Sequence, residues 1–132
     1  MRQIKFKGKR ISDGVWLYGD LMHLEKDFKP LIKIIDWSTK DQEVDPDTVS
    51  QFTGLTDKNG NEIYEGDRCI INFCFSFYNK IAIVYYKDAR FYLDDKHPEG
   101  NLPLSAFVDS KRNSSIEIIG NIHDNPELLN PQ

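Results

Sequence analysis

The chain has 132 residues, which is long enough to bury a hydrophobic core without disulfide support, and its 12% aromatic content excludes a chain that stays unfolded by composition. A formal net charge of −4 at pH 7 gives the chain no overall attraction to nucleic acid or to an anionic membrane. No apolar run approaches the ~18 residues of a membrane span, and the N-terminus lacks a signal-peptide pattern, so the sequence predicts a cytoplasmic protein.

The first third of the chain predicts short β-strands. Ile4 and Phe6 alternate with Lys5 and Lys7, a pattern typical of a half-buried strand whose lysine face is solvated. The alternative is a basic arm that contacts nucleic acid, because five of the first ten side chains are basic. A turn at residues 12–14 precedes a second strand at 15–18, and the β-branched residues 31–35 predict a third strand.

The middle of the chain combines a helix start with a hairpin. The sequence Asp-Pro-Asp at residues 45–47 has a capping side chain, a proline at the first helical position and an acidic first turn. Gly54 limits this helix to one or two turns. The Asn59-Gly60 pair then predicts a tight two-residue turn between strands at residues 51–55 and 62–64.

The C-terminal half is rich in strand-forming residues separated by turns. Strands are predicted within residues 69–78, 81–86, 90–93, 104–108 and 116–119. The fold class is therefore mainly β, or α+β at most, with an antiparallel meander or SH3-like small barrel after an N-terminal β-hairpin region and short helical turns. We expect one domain over residues 1–132, or a two-lobed version divided into residues 1–50 and 51–132.

Three segments carry a resemblance to a known family. They are the block DPDTVSQFTGLTDKNGNEIYEGD at residues 45–67, the tail IEIIGNIHDNPELL at residues 116–129 and the opening RQIKFK at residues 2–7. These resemble the signatures of the YopX family of small phage and prophage proteins. The chain departs from the family pattern at Arg68-Cys69, where an apolar pair is usual, and in its longer aromatic run at residues 73–78. The resemblance implies a mainly β fold, self-association and a phage or mobile-element origin, without an established activity or catalytic residues.

Eight polar or glycine residues of the signature crowd two consecutive turns. They are Thr53, Gly54, Asp57, Gly60, Tyr64, Glu65, Gly66 and Asp67. Asp57 and Gly60 superficially resemble part of a calcium loop, but the glycine comes too early for that pattern. Fixing the turns is the preferred interpretation of all eight residues.

The search for catalytic and metal-binding patterns leaves no candidate. Cys69 and Cys74 lack zinc spacing and are predicted to be two reduced thiols. The clusters at residues 23–25 and 94–97 lack a second ligand pair, and His123 beside Asp124 would point away from it in a strand. Phosphate-binding glycine loops are absent from the sequence. We therefore expect no catalytic, cofactor-binding or metal-binding residues.

A basic and aromatic group favours a second hypothesis. Lys80, Lys87 and Arg90 are interleaved with aromatic side chains that would stack on single-stranded nucleic acid. The aromatic residues in question are Phe73, Phe75, Phe77, Tyr78, Tyr85, Tyr86, Phe91 and Tyr92. Core and cross-strand pairs are the preferred interpretation of these rings.

The sequence thus supports three hypotheses of function. The leading one is a non-enzymatic phage accessory protein that binds an unknown macromolecule, a protein rather than nucleic acid. The second is a nucleic-acid-binding β-barrel module, and the third is a self-assembling structural protein. A homo-oligomer without a membrane partner is expected.

Overall fold

The computed structural model describes residues 2–36, 40–71, 80–94 and 102–126. The strands are β1 (Phe6–Lys9), β2 (Trp16–Lys26), β3 (Lys29–Asp36), β4 (Lys40–Glu43), β5 (Ser50–Thr56), β6 (Glu62–Tyr64), β7 (Asp67–Ile71), β8 (Lys80–Lys87), β9 (Arg90–Asp94), β10 (Leu102–Pro103) and β11 (Ile116–Asn121). Two 3₁₀ turns occupy Pro46–Thr48 and Leu104–Phe107. The mainly β prediction is confirmed. Within the described ranges, none of the helices has the length and apolar character needed to cross a membrane.

The chain divides into two compact units, Met1–Phe52 and Thr53–Gln132. One antiparallel sheet has the strand order β4-β3-β2-β1-β5-β6, in which β5 runs through the boundary between the units. The second has the order β10-β9-β8-β7-β11, so that β7 to β10 form the predicted meander. This second sheet is open, with β10 and β11 at its two edges, and it does not confirm the SH3-like barrel that the sequence predicts.

The N-terminal unit is organised by the long β2–β3 hairpin, whose register runs from Asp20 opposite Ile35 to Lys26 opposite Lys29. Side chains alternate between the two faces of the hairpin. One face contributes Ile34, which is fully buried with Val44 and Leu17 in the core of this unit. β2 extends beyond the residues 15–18 that the sequence predicts because residues 20–26 pair with β3.

The lysines of β1 correct the prediction of a solvated lysine face. Ile4 is 53% exposed, whereas Lys7 is only 6% exposed. The Lys7 ammonium lies 4.5 Å from the centroid of the Trp16 ring, and the Lys9 ammonium lies 5.3 Å from it. Because the aromatic face attracts a cation, burial of this lysine is compensated locally. Lys7 is thus part of the packing, and a basic arm would have to act without it.

The C-terminal unit has its own core, built from alternate residues of its strands. Its buried members are Ile63, Cys69, Ile71, Ala82, Val84, Leu93, Leu104, Phe107 and Ile116. Arg68 and Cys69, where the chain departs from the family pattern, are both buried in β7. The register between β7 and β11 shifts between Ile118 and Gly120, opposite these two residues. Residues 72–79, which include the whole aromatic run 73–78, lie outside the described part.

The sequence predicts the first of the two described 3₁₀ turns but not the second. Asp45 caps the first as predicted, because its carboxylate accepts a hydrogen bond of 3.0 Å from the amide of Asp47. The second contradicts the strand predicted at residues 104–108. Pro103 ends the short strand β10, and the chain turns at once to bury Leu104 and Phe107.

Two hairpins close through two-residue turns of the same kind. Asp27 and Phe28 join β2 to β3 with φ angles of 52° and 65°, and Asp88 and Ala89 join β8 to β9 with 50° and 64°. Positive φ at both positions matches the twist of the flanking strands. By contrast, φ is positive at Gly60 but not at Asn59. The predicted two-residue Asn-Gly turn is therefore wrong, and the loop there is longer.

Candidate functional site

The first signature turn is held together by the buried carboxylate of Asp57, which is 3% exposed. One carboxylate oxygen accepts hydrogen bonds of 2.9 Å from the amides of Asn59 and Asn61. The other accepts from the amide of Ile118 at 3.1 Å, and thereby ties the turn to β11. Lys58 adds a second link, since its ammonium lies 3.0 Å from a carboxylate oxygen of Glu117. This loop is therefore a structural cross-link within the C-terminal unit.

The bonds to Asp57 also set its acidity. Burial alone would raise the pKa of this carboxyl, but the amides of Ile118, Asn61 and Asn59 stabilise the charged form and hold the pKa below its ordinary value of 3.8. A carboxyl with a lowered pKa in the folded state stabilises the fold above the pKa of the unfolded chain.

We expect the Asp57 contribution to be fully present above about pH 4 and to disappear as the pH falls through the folded-state pKa. One proton changes the free energy of unfolding by at most about 1.4 kcal/mol per pH unit. The measurement is urea unfolding between pH 6 and pH 2.5, in which Asp57→Ala declines less steeply than the unchanged protein below pH 4. Identical slopes for the two proteins would contradict this role.

A second loop repeats the geometry of the first. Asp109 accepts hydrogen bonds of 2.9 Å from the amides of Lys111 and Asn113, at the same offsets that Asp57 uses. Arg112, at the place of Gly60, has a φ of 66°. The shared spacing, an Asp four residues before an Asn, is visible in the sequence. The Asp109 loop lacks the burial of its counterpart and is exposed.

Thr53 and Gly54 link these two loops. The Thr53 hydroxyl donates to the carbonyl oxygen of Ile63 at 2.8 Å, and the Gly54 carbonyl accepts from the guanidinium of Arg112 at 3.2 Å. Gly54 has a φ of 88°, so β5 bends at this point. Arg112, which the sequence did not single out, thus anchors the Asp109 loop to the signature strand.

The second signature turn is fixed from three sides. The Asp67 carboxylate, itself buried, accepts from the amide of Tyr64 at 2.8 Å. The amide of Gly66 donates a hydrogen bond of 2.8 Å to the carbonyl oxygen of Val84, and the carbonyl oxygen of Gly66 accepts one of 2.9 Å from the amide of Ile122. Tyr64 is buried and Glu65 is half-buried within the same turn. The residues of this turn connect β8 with the end of β11.

The C-terminal signature forms a third locked turn. The side-chain oxygen of Asn121 accepts from the amides of His123 and Asp124 at 2.9 and 2.8 Å, and the side chain of Asn125 accepts from the amide of Asn121 at 3.3 Å. A Cβ atom on Gly120 would overlap the Asn125 side chain. Asn121, rather than the His-Asp pair, is the organising residue of this segment.

The predicted basic and aromatic group is brought together in part. Lys87 and Arg90 are cross-strand partners, and the neighbouring pair Tyr85 and Tyr92 stacks with ring centroids 5.5 Å apart. Side chains two residues apart share a face of the sheet, so all four lie on one face. The backbone of Lys80 pairs with Ile71 at the far end of β8, and the Lys80 side chain lies outside the described part, as does the run 73–78.

A groove of about 530 Å³ adjoins this hairpin within the C-terminal unit. Its walls come from β5, from β9 and from the second 3₁₀ turn, and its lining residues are Thr53, Leu55, Arg90, Phe91, Pro103, Leu104 and Ser105. Phe91 is held by an edge-on contact with Tyr86, with ring centroids 5.2 Å apart. Arg90 supplies the single charged group of the lining, and its guanidinium has no ionic or hydrogen-bond partner among the described residues.

Cys69 is a free cysteine buried in the core of the C-terminal unit. Burial raises the pKa of the Cys69 thiol, and the nearby Asp67 and Asp57 carboxylates raise it further, so this thiol stays protonated. Across the described ranges, no three His, Cys, Asp or Glu side chains come close enough to hold a metal ion. Cys74 and His97 lie outside those ranges.

Antiparallel sheets, with turns held by carboxylate and amide side chains, define a mainly β protein of two compact units. The model of the family described as YopX protein matches residues 5–130, and the chain belongs to this family. The resemblance seen in the sequence is thereby confirmed. No curated protein matches the chain.

The fold is also similar to a solved structure, described as the crystal structure of protein EF1440 from Enterococcus faecalis. The two chains are 24% identical, with a TM-score of 0.53, and the alignment covers 98% of this chain and 99% of that chain. At this identity the likeness establishes the fold alone.

Proposed function

We propose that this protein is a non-enzymatic accessory protein of a phage or prophage, which acts in the cytoplasm by binding another protein at the groove of its C-terminal unit. The observation that carries the proposal is Arg90, which lines the groove together with apolar and aromatic residues and whose guanidinium has no ionic or hydrogen-bond partner among the described residues. Such a combination suits a partner segment that brings one acidic group together with apolar side chains.

The signature residues support the groove as the site. Thr53 forms one wall of the groove, and its hydroxyl is already bonded to Ile63, so it offers its position and its methyl group instead of reactive chemistry. The strand that carries Thr53 is fixed by the turns at Asp57 and Gly54. A rigid wall lowers the entropy cost of binding, because less of the site has to be ordered when the partner arrives.

The test is affinity capture of the tagged protein from phage-bearing host cells, with and without nuclease, followed by binding measurements with the purified partner. We expect a nuclease-resistant partner whose affinity falls at least about tenfold for Arg90→Gln. Lys87→Gln is the matched control, because it removes the neighbouring charge outside the groove lining, and its affinity should change little. Equal affinities for Arg90→Gln and the unchanged protein would refute the groove as the site, and measured turnover of a substrate would refute a non-enzymatic role.

A second candidate function is binding of single-stranded nucleic acid. It is favoured by the shared face of Lys87, Arg90, Tyr85 and Tyr92, which offers two cations beside stacked rings. This function predicts that capture disappears with nuclease, that affinity falls steeply with salt, and that Lys87→Gln and Arg90→Gln weaken binding alike. The equal response of the two variants distinguishes it from the groove.

A further inference from the structure

Phe28 is displayed at the tip of the β2–β3 hairpin. Its residue surface is 96% exposed, the highest value among the large apolar residues that the structure describes. It also has a φ of 65°, in the left-handed region that bulky residues rarely adopt. The Phe28 ring is therefore exposed to solvent, and its backbone has a strained conformation that glycine would adopt without strain.

The equivalent turn of the C-terminal unit shows that folding does not require this ring. Asp88 and Ala89 make the same turn with nearly the same φ angles, and a methyl group stands where Phe28 has its ring. The strained backbone at Phe28 is not compensated by packing of its ring within the chain. Strain and an exposed apolar side chain at one residue are typical of an interaction site.

The charges around Phe28 indicate what that interaction is. Glu25, Lys26, Asp27 and Lys29 are all exposed, and their signs sum to zero although the whole chain carries −4. Two cations and two anions on one tip can meet the same groups on an identical tip with each cation opposite an anion. An anionic membrane gains little from a tip without net positive charge.

We propose that the β2–β3 tip, residues 24–29, is a self-association site that pairs with the same tip of a second copy around a two-fold axis. The Phe28 ring of each copy packs against the apolar surface of the other, to which the 39% exposed Leu24 contributes. One aromatic ring buries about 150–250 Å², far less than the roughly 800 Å² per partner of a standard stable interface. The association is therefore weak and reversible.

Sedimentation of the purified full chain from about 5 μM to 1 mM tests the site. We expect the mass to rise from the 15.4 kDa monomer toward the dimer, and Phe28→Gly to weaken association at least tenfold while its circular dichroism spectrum is unchanged. Ala89→Gly places a glycine at the equivalent position of the β8–β9 turn. This variant should associate like the unchanged protein. A monomer throughout the range, or equal association of Phe28→Gly, would overturn the proposal.

A charge exchange tests the self-complementarity separately. Lys26→Glu with Lys29→Glu makes an acidic tip, and Glu25→Lys with Asp27→Asn makes a basic tip. Each double variant alone should remain monomeric, and an equimolar mixture should associate at least as tightly as the unchanged protein. Failure of the mixture to associate, with both variants folded, would rule out pairing of identical tips. None of these substitutions touches the groove, so this outcome leaves the groove proposal standing.

Discussion

Replacing Asp57 with alanine is expected to lower the free energy of unfolding of the C-terminal unit by about 3 kcal/mol, because three amides lose a charged acceptor and one of them lies beneath the turn. Hydrogen bonds to a charged group contribute about 1.5–3 kcal/mol each, and part of this is recovered when water reaches the exposed amides of the loop. The amide of Ile118 is the one that water reaches least easily, since it lies next to the fully buried Cys69 in the register.

Asp109→Ala is the matched control for this substitution. Asp109 makes the same bonds within its own loop but is exposed and has no counterpart of the bond to Ile118 among the described residues. Because solvent screens the bonds of an exposed carboxylate, its loss should cost much less than the loss of Asp57. Far-ultraviolet circular dichroism in urea measures both values, and hydrogen exchange at Ile118 should accelerate only in Asp57→Ala. Equal losses of stability in the two variants would mean that the loop bonds, and not the link to β11, are what Asp57 contributes.

Local patterns were enough to predict elements whose signals are adjacent in sequence. The cap at Asp45 joins residues two positions apart, and the turn at Asp88 separates two strands with alternating buried residues, Val84 and Leu93 among them. In both places local propensity and burial favour the same structure, and the prediction and the structure agree. The resemblance of residues 45–67 and 116–129 to one family was sufficient for the membership that the family model confirms.

What sequence could not predict depends on long-range contacts. Asp57 is bonded to an amide 61 residues away, and a spacing rule cannot identify such a partner. β4 consists of the polar residues Lys-Asp-Gln-Glu, which have no apolar alternation, and it forms because β3 offers its edge. The burial of Lys7 follows from the position of Trp16 on the neighbouring strand, and the pattern of β1 itself points the other way. The groove is likewise assembled from three separate segments.

Gly19 is the residue where one added carbon should have the largest effect on the N-terminal unit. A Cβ atom there would overlap the carbonyl oxygen of Ile35 and lie 2.9 Å from its carbonyl carbon. Both are backbone atoms of the paired strand, so no rotamer change relieves the clash. Gly19→Ala must therefore separate β2 from β3 next to the fully buried Ile34, at a cost of about 3 kcal/mol or more.

Gly14→Ala distinguishes this clash from the general cost of replacing glycine. Gly14 also has a positive φ, 73°, but nothing lies within 4 Å of an added Cβ atom, so its cost is limited to about 1–2 kcal/mol of backbone strain. Both tryptophans belong to residues 1–52, and their fluorescence in urea reports unfolding of this unit alone. Gly19→Ala should also weaken self-association, because the hairpin that presents Phe28 is anchored by the same pairing. If the two variants unfold at the same urea concentration, the close approach of β2 to β3 at Gly19 contributes nothing to stability.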